Sequence, residues 1–281
     1  MPNLKKTVWT LNIDRYAPEL CQMSYPLISG YARKIGADFR IINQRAFPGM
    51  PLTYEKLQIF DLGPDNDWNV YIDSDTLVFP DMFDITERLP KDTVAHYSHD
   101  HASNRWRGDK YFRRDGRDIG SCNWFAVASD WCIDLWNPIM IEGLEVTLKR
   151  ILPTVKERMA GITAEHLIDD YILSRNIARF GLKFKTVQQI QKESNDPGVY
   201  FWHTHTTSLE VKLKEFTTGL KAMGILGFDE FKRCAGMTLD DWLSDYGVVY
   251  QARQAQPIPP EGTHMVEFDY ENNKIKFTER I

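Results

Sequence analysis

Two carboxylates one residue apart, Asp73 and Asp75, stand between the apolar runs Val70-Tyr71-Ile72 and Leu77-Val78-Phe79. In extended chain, residues i and i+2 point to the same side, which aims Asp73 and Asp75 at one point and turns Ser74 away. Two anionic oxygens on one side suit a hard divalent cation, Mg²⁺ or Mn²⁺. Such an ion keeps several waters and takes its remaining ligands from a phosphorylated substrate. The flanking residues favour strands, which predicts that the pair sits at the inner end of a buried strand. Many solvated turns also carry Asp-x-Asp, so the surroundings decide what it means.

Those surroundings are specific. Lys56-Leu57-Gln58-Ile59-Phe60-Asp61-Leu62, a polar spacer, Asn69 to Phe79, and then Pro80-Asp81-Met82-Phe83-Asp84 together resemble the GT-A glycosyltransferases with a DXD motif. The glycogenin-like and galactosyltransferase-like retaining branch is the most similar. Looser matches extend from Thr7 to about Glu215. The resemblance implies a Rossmann-like α/β sheet, mixed but mostly parallel, and Mn²⁺ or Mg²⁺ held by Asp73 and Asp75. It also implies a nucleotide-diphosphate sugar as donor, with a UDP-sugar favoured, and retention at the sugar carbon.

Further residues are implied by the same resemblance. Thr10-Leu11-Asn12-Ile13-Asp14-Arg15-Tyr16 is similar to the family's base-binding start, so Thr10, Asn12 and Tyr16 are expected at the nucleotide. Tyr16 would stack on a pyrimidine and Asn12 would read its edge. Lys56 and Lys212 are the expected diphosphate cations, with Asp73 and Ser74 also beside the donor. Asn123 matches a polar residue that touches the donor sugar, although Trp124 stands where the family has glycine. Asp169 and Asp170 match the carboxylate region near the anomeric carbon and are the catalytic candidates. His203 is expected as the third protein ligand to the metal, with His205 as its alternative.

The elements that must position these residues can be read from the chain. Thr7 to Ile13 reads as a buried strand, Ala17 to Lys34 as a helix, and Phe39 to Ile42 as a second strand. Strand, helix, strand opens a doubly wound sheet, in which ligands sit beyond the carboxyl ends of the strands. Thr53 is expected to cap a helix that carries Lys56, and Thr163 one that carries Asp169 and Asp170. Further strands are expected at Thr93 to Tyr97, Gly120 to Ala128, Lys183 to Val187 and Val199 to His205. Ser129-Asp130 and Thr207-Ser208 are expected to start helices. His96, His99, Asp100 and His101 lack the spacing of a helical metal pair and are expected on a site rim. Arg105, Arg107, Arg113, Arg114 and Arg117, interleaved with Trp106, Tyr111 and Phe112, form a loop suited to phosphate and sugar rings. Residues 257–262 read as a stiff linker, and Met265 to Phe277 as a hairpin around Asn272-Asn273. The expected division is a catalytic domain over 1–256 and an appendage over 257–281.

Composition narrows the classes. With 281 residues and 43% apolar content the chain can bury a substantial core. A formal charge of −5 argues against dedicated nucleic-acid or anionic-membrane binding. Cys21, Cys122, Cys132 and Cys234 are scattered without a C-x-x-C pair, which points to free thiols rather than zinc or disulfides. No signal-peptide pattern opens the chain, and no stretch approaches the ~20 apolar residues of a membrane span. A cytoplasmic protein without a transmembrane segment is therefore expected. A sugar-phosphate nucleotidyltransferase is the alternative enzyme, but the turn after the first strand lacks the Gly-rich phosphate loop. A sugar- or nucleotide-binding module without turnover is the alternative outside catalysis. The acceptor is open among a glycan, a lipid-linked sugar, a protein and a modified base.

Overall fold

A computed structural model of the chain describes residues 4–97, 123–139, 143–151, 153, 155–159, 161–204, 208–225, 264–269 and 274–279. The expected arginine-rich loop, His99, Asp100, His101, His205 and the linker at 257–262 lie outside the described residues. Among those described, the strands in chain order are β1 (Lys6–Leu11), β2 (Asp38–Ile42), β3 (Trp68–Ile72), β4 (Thr76–Val78) and β5 (Thr93–His96). They continue with β6 (Phe125–Ser129), β7 (Lys183–Thr186), β8 (Phe201–His203), β9 (His264–Asp269) and β10 (Lys274–Glu279). The chain divides into two compact units. One comprises Met1–Asp14, Ala37–Asp73 and Phe83–Gly198, and the other Arg15–Gly36, Ser74–Met82 and Val199–Ile281.

The first unit is built on a six-stranded sheet in the order β2-β1-β3-β6-β5-β7. Its pairings are parallel except on either side of β6, which runs against its neighbours β3 and β5. The result is the mostly parallel, helix-flanked α/β sheet expected from the sequence. Every residue of β3 is buried, as its apolar run demands. The one amide in that strand, Asn69, is bonded at both ends: it accepts from Trp9 Nε1 and Asn66 Nδ2 and donates to the Gly63 carbonyl. Gly63 has to be glycine, because a Cβ there would lie 2.4 Å from the Asn69 side chain. Tyr71, Val94, Ala126 and Ala128 from the sheet pack with Ile168, Tyr171, Ile172 and Ile177 from the helix Ile168–Phe180. That helix stops at Gly181, whose φ of 66° is the left-handed conformation glycine adopts without steric cost.

The second unit holds the helix Pro18–Lys34, the antiparallel pair β4–β8, the helix Leu209–Ala222 and the antiparallel pair β9–β10. Leu20, Met23, Leu27, Leu77, Leu213, Phe216 and Leu220 form its core. Gly219 lets the helix Leu209–Ala222 lie directly on Trp202 and Leu77, where a Cβ would come within 2.7 and 2.9 Å. Ser208 caps this helix through the Val211 N–H. The hairpin read from the sequence is the β9–β10 pair. No helix among the described residues is long and apolar enough to cross a membrane.

Two expected caps are not caps. Lys56 lies on a 3-10 segment, Leu52–Gln58, entered through Pro51, and the Thr53 hydroxyl donates to the Glu165 carbonyl instead. The helix with Asp169 and Asp170 begins at Ile168 after a 3-10 turn, and Thr163 pairs with His166 Nδ1. In both places local propensity names a start, but long-range or turn bonding takes the threonine.

Candidate functional site

Because β6 runs against its neighbours, its amino end meets the carboxyl ends of β3 and β5 at one edge of the sheet. Asp73 follows β3 at this edge, and its N–H donates to the Trp124 carbonyl just before β6 (2.8 Å). Lys56, 1% exposed, lies beneath. Its Nζ pairs with Asp169 at 2.5 Å and with Asp73 at 3.2 Å, and stands 4.4 Å from the centre of the Tyr71 ring. The Tyr71 hydroxyl donates to the same Asp73 oxygen at 2.5 Å. Burial alone would push the Lys56 ammonium toward neutrality, but Asp169 and Asp73 outweigh it and hold the group above its ordinary value. Lys56 is thus a buried bridge between two carboxylates drawn from distant parts of the chain.

Asp169 and Asp170 occupy the first turn of their helix, where the dipole favours anions. Asp170 accepts from the Asn123 N–H (2.9 Å), and Asn123 Nδ2 donates to the Asp169 carbonyl (3.4 Å). Lys56, Asp73, Asn123, Asp169 and Asp170 are therefore one bonded cluster within the first unit. Asn123 is fully buried, with its amide directed at the helix backbone. Thr10 is fully buried in β1, and Asn12 extends the β1–β2 ladder by donating to Ile42 (2.8 Å).

In the second unit Asp75, His203 and Lys212 converge. The extended geometry expected from Asp73 to Asp75 does not occur: β3 ends at Ile72, and Ser74 and Asp75 form a turn before β4. The Ser74 carbonyl accepts from Ser24 Oγ at 2.6 Å, which anchors that turn to the helix Pro18–Lys34. The β4–β8 register sets His203 opposite Thr76, and the Thr204 N–H reaches the Asp75 carbonyl at 3.4 Å. His203 Nε2 consequently lies 3.4 Å from Asp75 Oδ1, while Lys212 Nζ bonds Asp75 Oδ2. Lys212 also donates to the Tyr16 hydroxyl at 2.9 Å. Burial would raise the pKa of Asp75, but Lys212 and then His203 hold its carboxyl well below the usual carboxylate range. Lys212 is raised in turn, as Asp75 and Tyr16 overcome its desolvation. Tyr16, 39% exposed, keeps ring surface in solvent.

The Asp75–His203 pair suits a small divalent ion. Oxygen and nitrogen ligands each about 2.1 Å from such an ion lie roughly 3 Å apart when they meet at a right angle, close to the spacing observed.

Three contributors escaped the sequence reading. Tyr71 reads in the sequence as an apolar strand residue, yet its hydroxyl bonds Asp73, two residues on. Glu55, fully buried, accepts from the Ala46 and Phe47 N–H groups and so seats the segment that carries Lys56. Ser24 gave no signal, since its role depends on a turn 50 residues away. His96 is not on a rim. It is fully buried at the end of β5, edge-on to Phe184 at 5.4 Å.

No family model matches the chain, and no curated protein matches it in sequence. Among solved structures, a glycosyltransferase involved in the glycosylation of the major capsid of PBCV-1 is similar, with 11% identity and a TM-score of 0.47. The likeness covers 76% of this chain and 99% of that one.

Proposed function

We propose that the chain is a metal-dependent glycosyltransferase of the hexosyltransferase type. It moves a sugar from a nucleotide-diphosphate sugar, with a UDP-sugar favoured, to an acceptor, and retains configuration. The observation that carries this reading is the convergence of Asp75, His203, Lys212 and Tyr16 from four separate segments. A carboxylate, an imidazole, an ammonium and a partly exposed ring are the groups needed for a metal, a diphosphate and a base. Asp73, one residue from Asp75 in the chain, adds the second carboxylate, so that Asp73, Asp75 and His203 are the proposed ligands of Mn²⁺ or Mg²⁺.

The reaction breaks the bond between the sugar anomeric carbon and the diphosphate. When bound, the ion would neutralise charge on the departing diphosphate. Lys212 would add a directed positive charge to the same oxygens as they become more anionic. Tyr16, Asn12 and Thr10 would serve the base. Asp169 faces the opposite demand, a sugar carbon that becomes cationic, and Lys56 holds this carboxylate in place. Asp170 and Asn123 would fix the helix end that presents it, and Ser74 would set the turn between the two metal carboxylates. Residues 1–256 are read as the catalytic part and the hairpin as its appendage.

A panel of nucleotide-sugars incubated with the protein and Mn²⁺ tests the reading. The expected result is Mn²⁺-dependent hydrolysis of a UDP-sugar that is lost in Asp73→Asn and Asp75→Asn, with both variants folded. Wild-type turnover by either variant at low Mn²⁺, or undiminished turnover in EDTA, would sink it.

A further inference from the structure

We propose that Lys212 is a resident cation that neutralises Asp75 before metal arrives and moves to the diphosphate when metal takes its place. Divalent metal and nucleoside diphosphate would then bind with positive cooperativity through this one side chain. The proposal rests on the metal and nucleotide site of the preceding section and adds to it an order of charge exchange.

Three observations carry it. First, the ammonium bonds Asp75 Oδ2, one oxygen of the carboxylate whose other oxygen faces His203. A dication bound between Asp75 and His203 and an ammonium on the same carboxylate would repel each other across a few ångströms. Second, Asp75 and Lys212 have side chains only 13% and 8% exposed, so neither charge is well solvated if its partner leaves. Breaking such a pair strands a charge and is strongly unfavourable unless a new partner appears. A metal without nucleotide supplies Asp75 with a partner but leaves Lys212 with no paired carboxylate among the described residues. A diphosphate supplies Lys212 with an anion. Third, the backbone of Lys212 is fixed, so the exchange asks only its side chain to turn. The residue sits in the first turn of a helix capped by Ser208 and seated through Gly219. Its other partner, Tyr16, is partly exposed and lies in the segment proposed to hold the base, so the ammonium already points toward the place a diphosphate would occupy.

Each ligand therefore removes the obstacle to the other, and linkage requires the enhancement to be equal in both directions. Calorimetric titration of Mn²⁺ into the full chain, with and without UDP, tests this. Wild type should bind Mn²⁺ alone weakly and at least tenfold tighter with UDP present. Lys212→Met and Lys212→Gln should bind bare Mn²⁺ at least tenfold tighter than wild type and lose an equal factor of the UDP enhancement. Lys212→Arg, which keeps a cation there, should stay weak for bare Mn²⁺. Thermal melts in EDTA provide a second readout: the Met and Gln variants should melt lower than wild type without metal and gain more from Mn²⁺. If these variants bind bare Mn²⁺ no tighter than wild type, while UDP still enhances the binding, the charge exchange is wrong and the metal site stands. If none of the proteins binds Mn²⁺ under either condition, both readings fall.

Discussion

Replacing Lys56 with methionine should unfold the first unit far more readily than an ordinary surface lysine would predict. Methionine matches the stem of lysine and fills the buried space, so the loss is electrostatic rather than a cavity. The ammonium it removes stands 2.5 Å from Asp169 and 3.2 Å from Asp73, with side chains 7% and 28% exposed. Asp73 can recover some solvation, whereas Asp169 cannot. Removing one partner of a buried pair costs about 3–5 kcal/mol, a large part of the ~5–15 kcal/mol that stabilises a typical domain. The same reasoning requires that Lys56→Met/Asp169→Asn be more stable than the lysine variant alone, since it removes the stranded charge. The coupling between the two sites should reach about 2–3 kcal/mol, the upper end for contacting residues. Urea unfolding of wild type, both single variants and the double variant, followed by circular dichroism, measures all of this. The pH behaviour of wild type is also determined: Lys56 is raised above its ordinary 10.5, so its contribution is complete below that pH and fades only as pH rises through the folded value. Between pH 5 and 8 the Lys56 contribution should be flat. A loss below about 1 kcal/mol in the single variant, or additive effects in the double, would refute the buried-bridge account.

Two other predictions follow from the same structure. Tyr16→Ala should weaken nucleoside diphosphate binding by about 1–3 kcal/mol, the range for aromatic stacking on a base. Tyr16→Phe should keep most of that affinity, and an unchanged dissociation constant for Tyr16→Ala would make the ring mere packing. His96 carries neither a hydrogen bond on Nδ1 nor one on Nε2 among the described residues, and burial, followed by the charge of Lys56, pushes its pKa from 6.5 to about 3. The native state therefore keeps the ring neutral while the unfolded chain takes up a proton below pH 6.5, so stability falls as pH falls. At pH 5 this amounts to about 2 kcal/mol. His96→Leu should remove that portion of the difference in urea stability between pH 7 and pH 5, and an unchanged difference would mean that His96 protonates freely in the native state.

The sequence by itself determined the fold class and the types of residue at the site. The apolar, strand-favouring run before Asp73 pointed to a buried strand, and the alternation of strand and helix patterns pointed to the sheet, because both signals are local. Ser129 was legible as a cap, and Thr207-Ser208 as a helix start, for the same reason: each serine bonds an N–H two or three residues away. What the tertiary structure alone decided is which charges meet. Nothing near Lys56 in the chain reveals that it is buried against Asp169, 113 residues later, because that contact depends on the helix Ile168–Phe180 packing on the sheet and bonding Asn123, just before the antiparallel β6. Nothing near Lys212 reveals that it already holds Asp75. An ammonium or a carboxylate is equally compatible with solvent, a phosphate or another side chain as far as local propensity goes. Its partner is selected by desolvation and Coulomb energy, and those are set only when remote segments close around it.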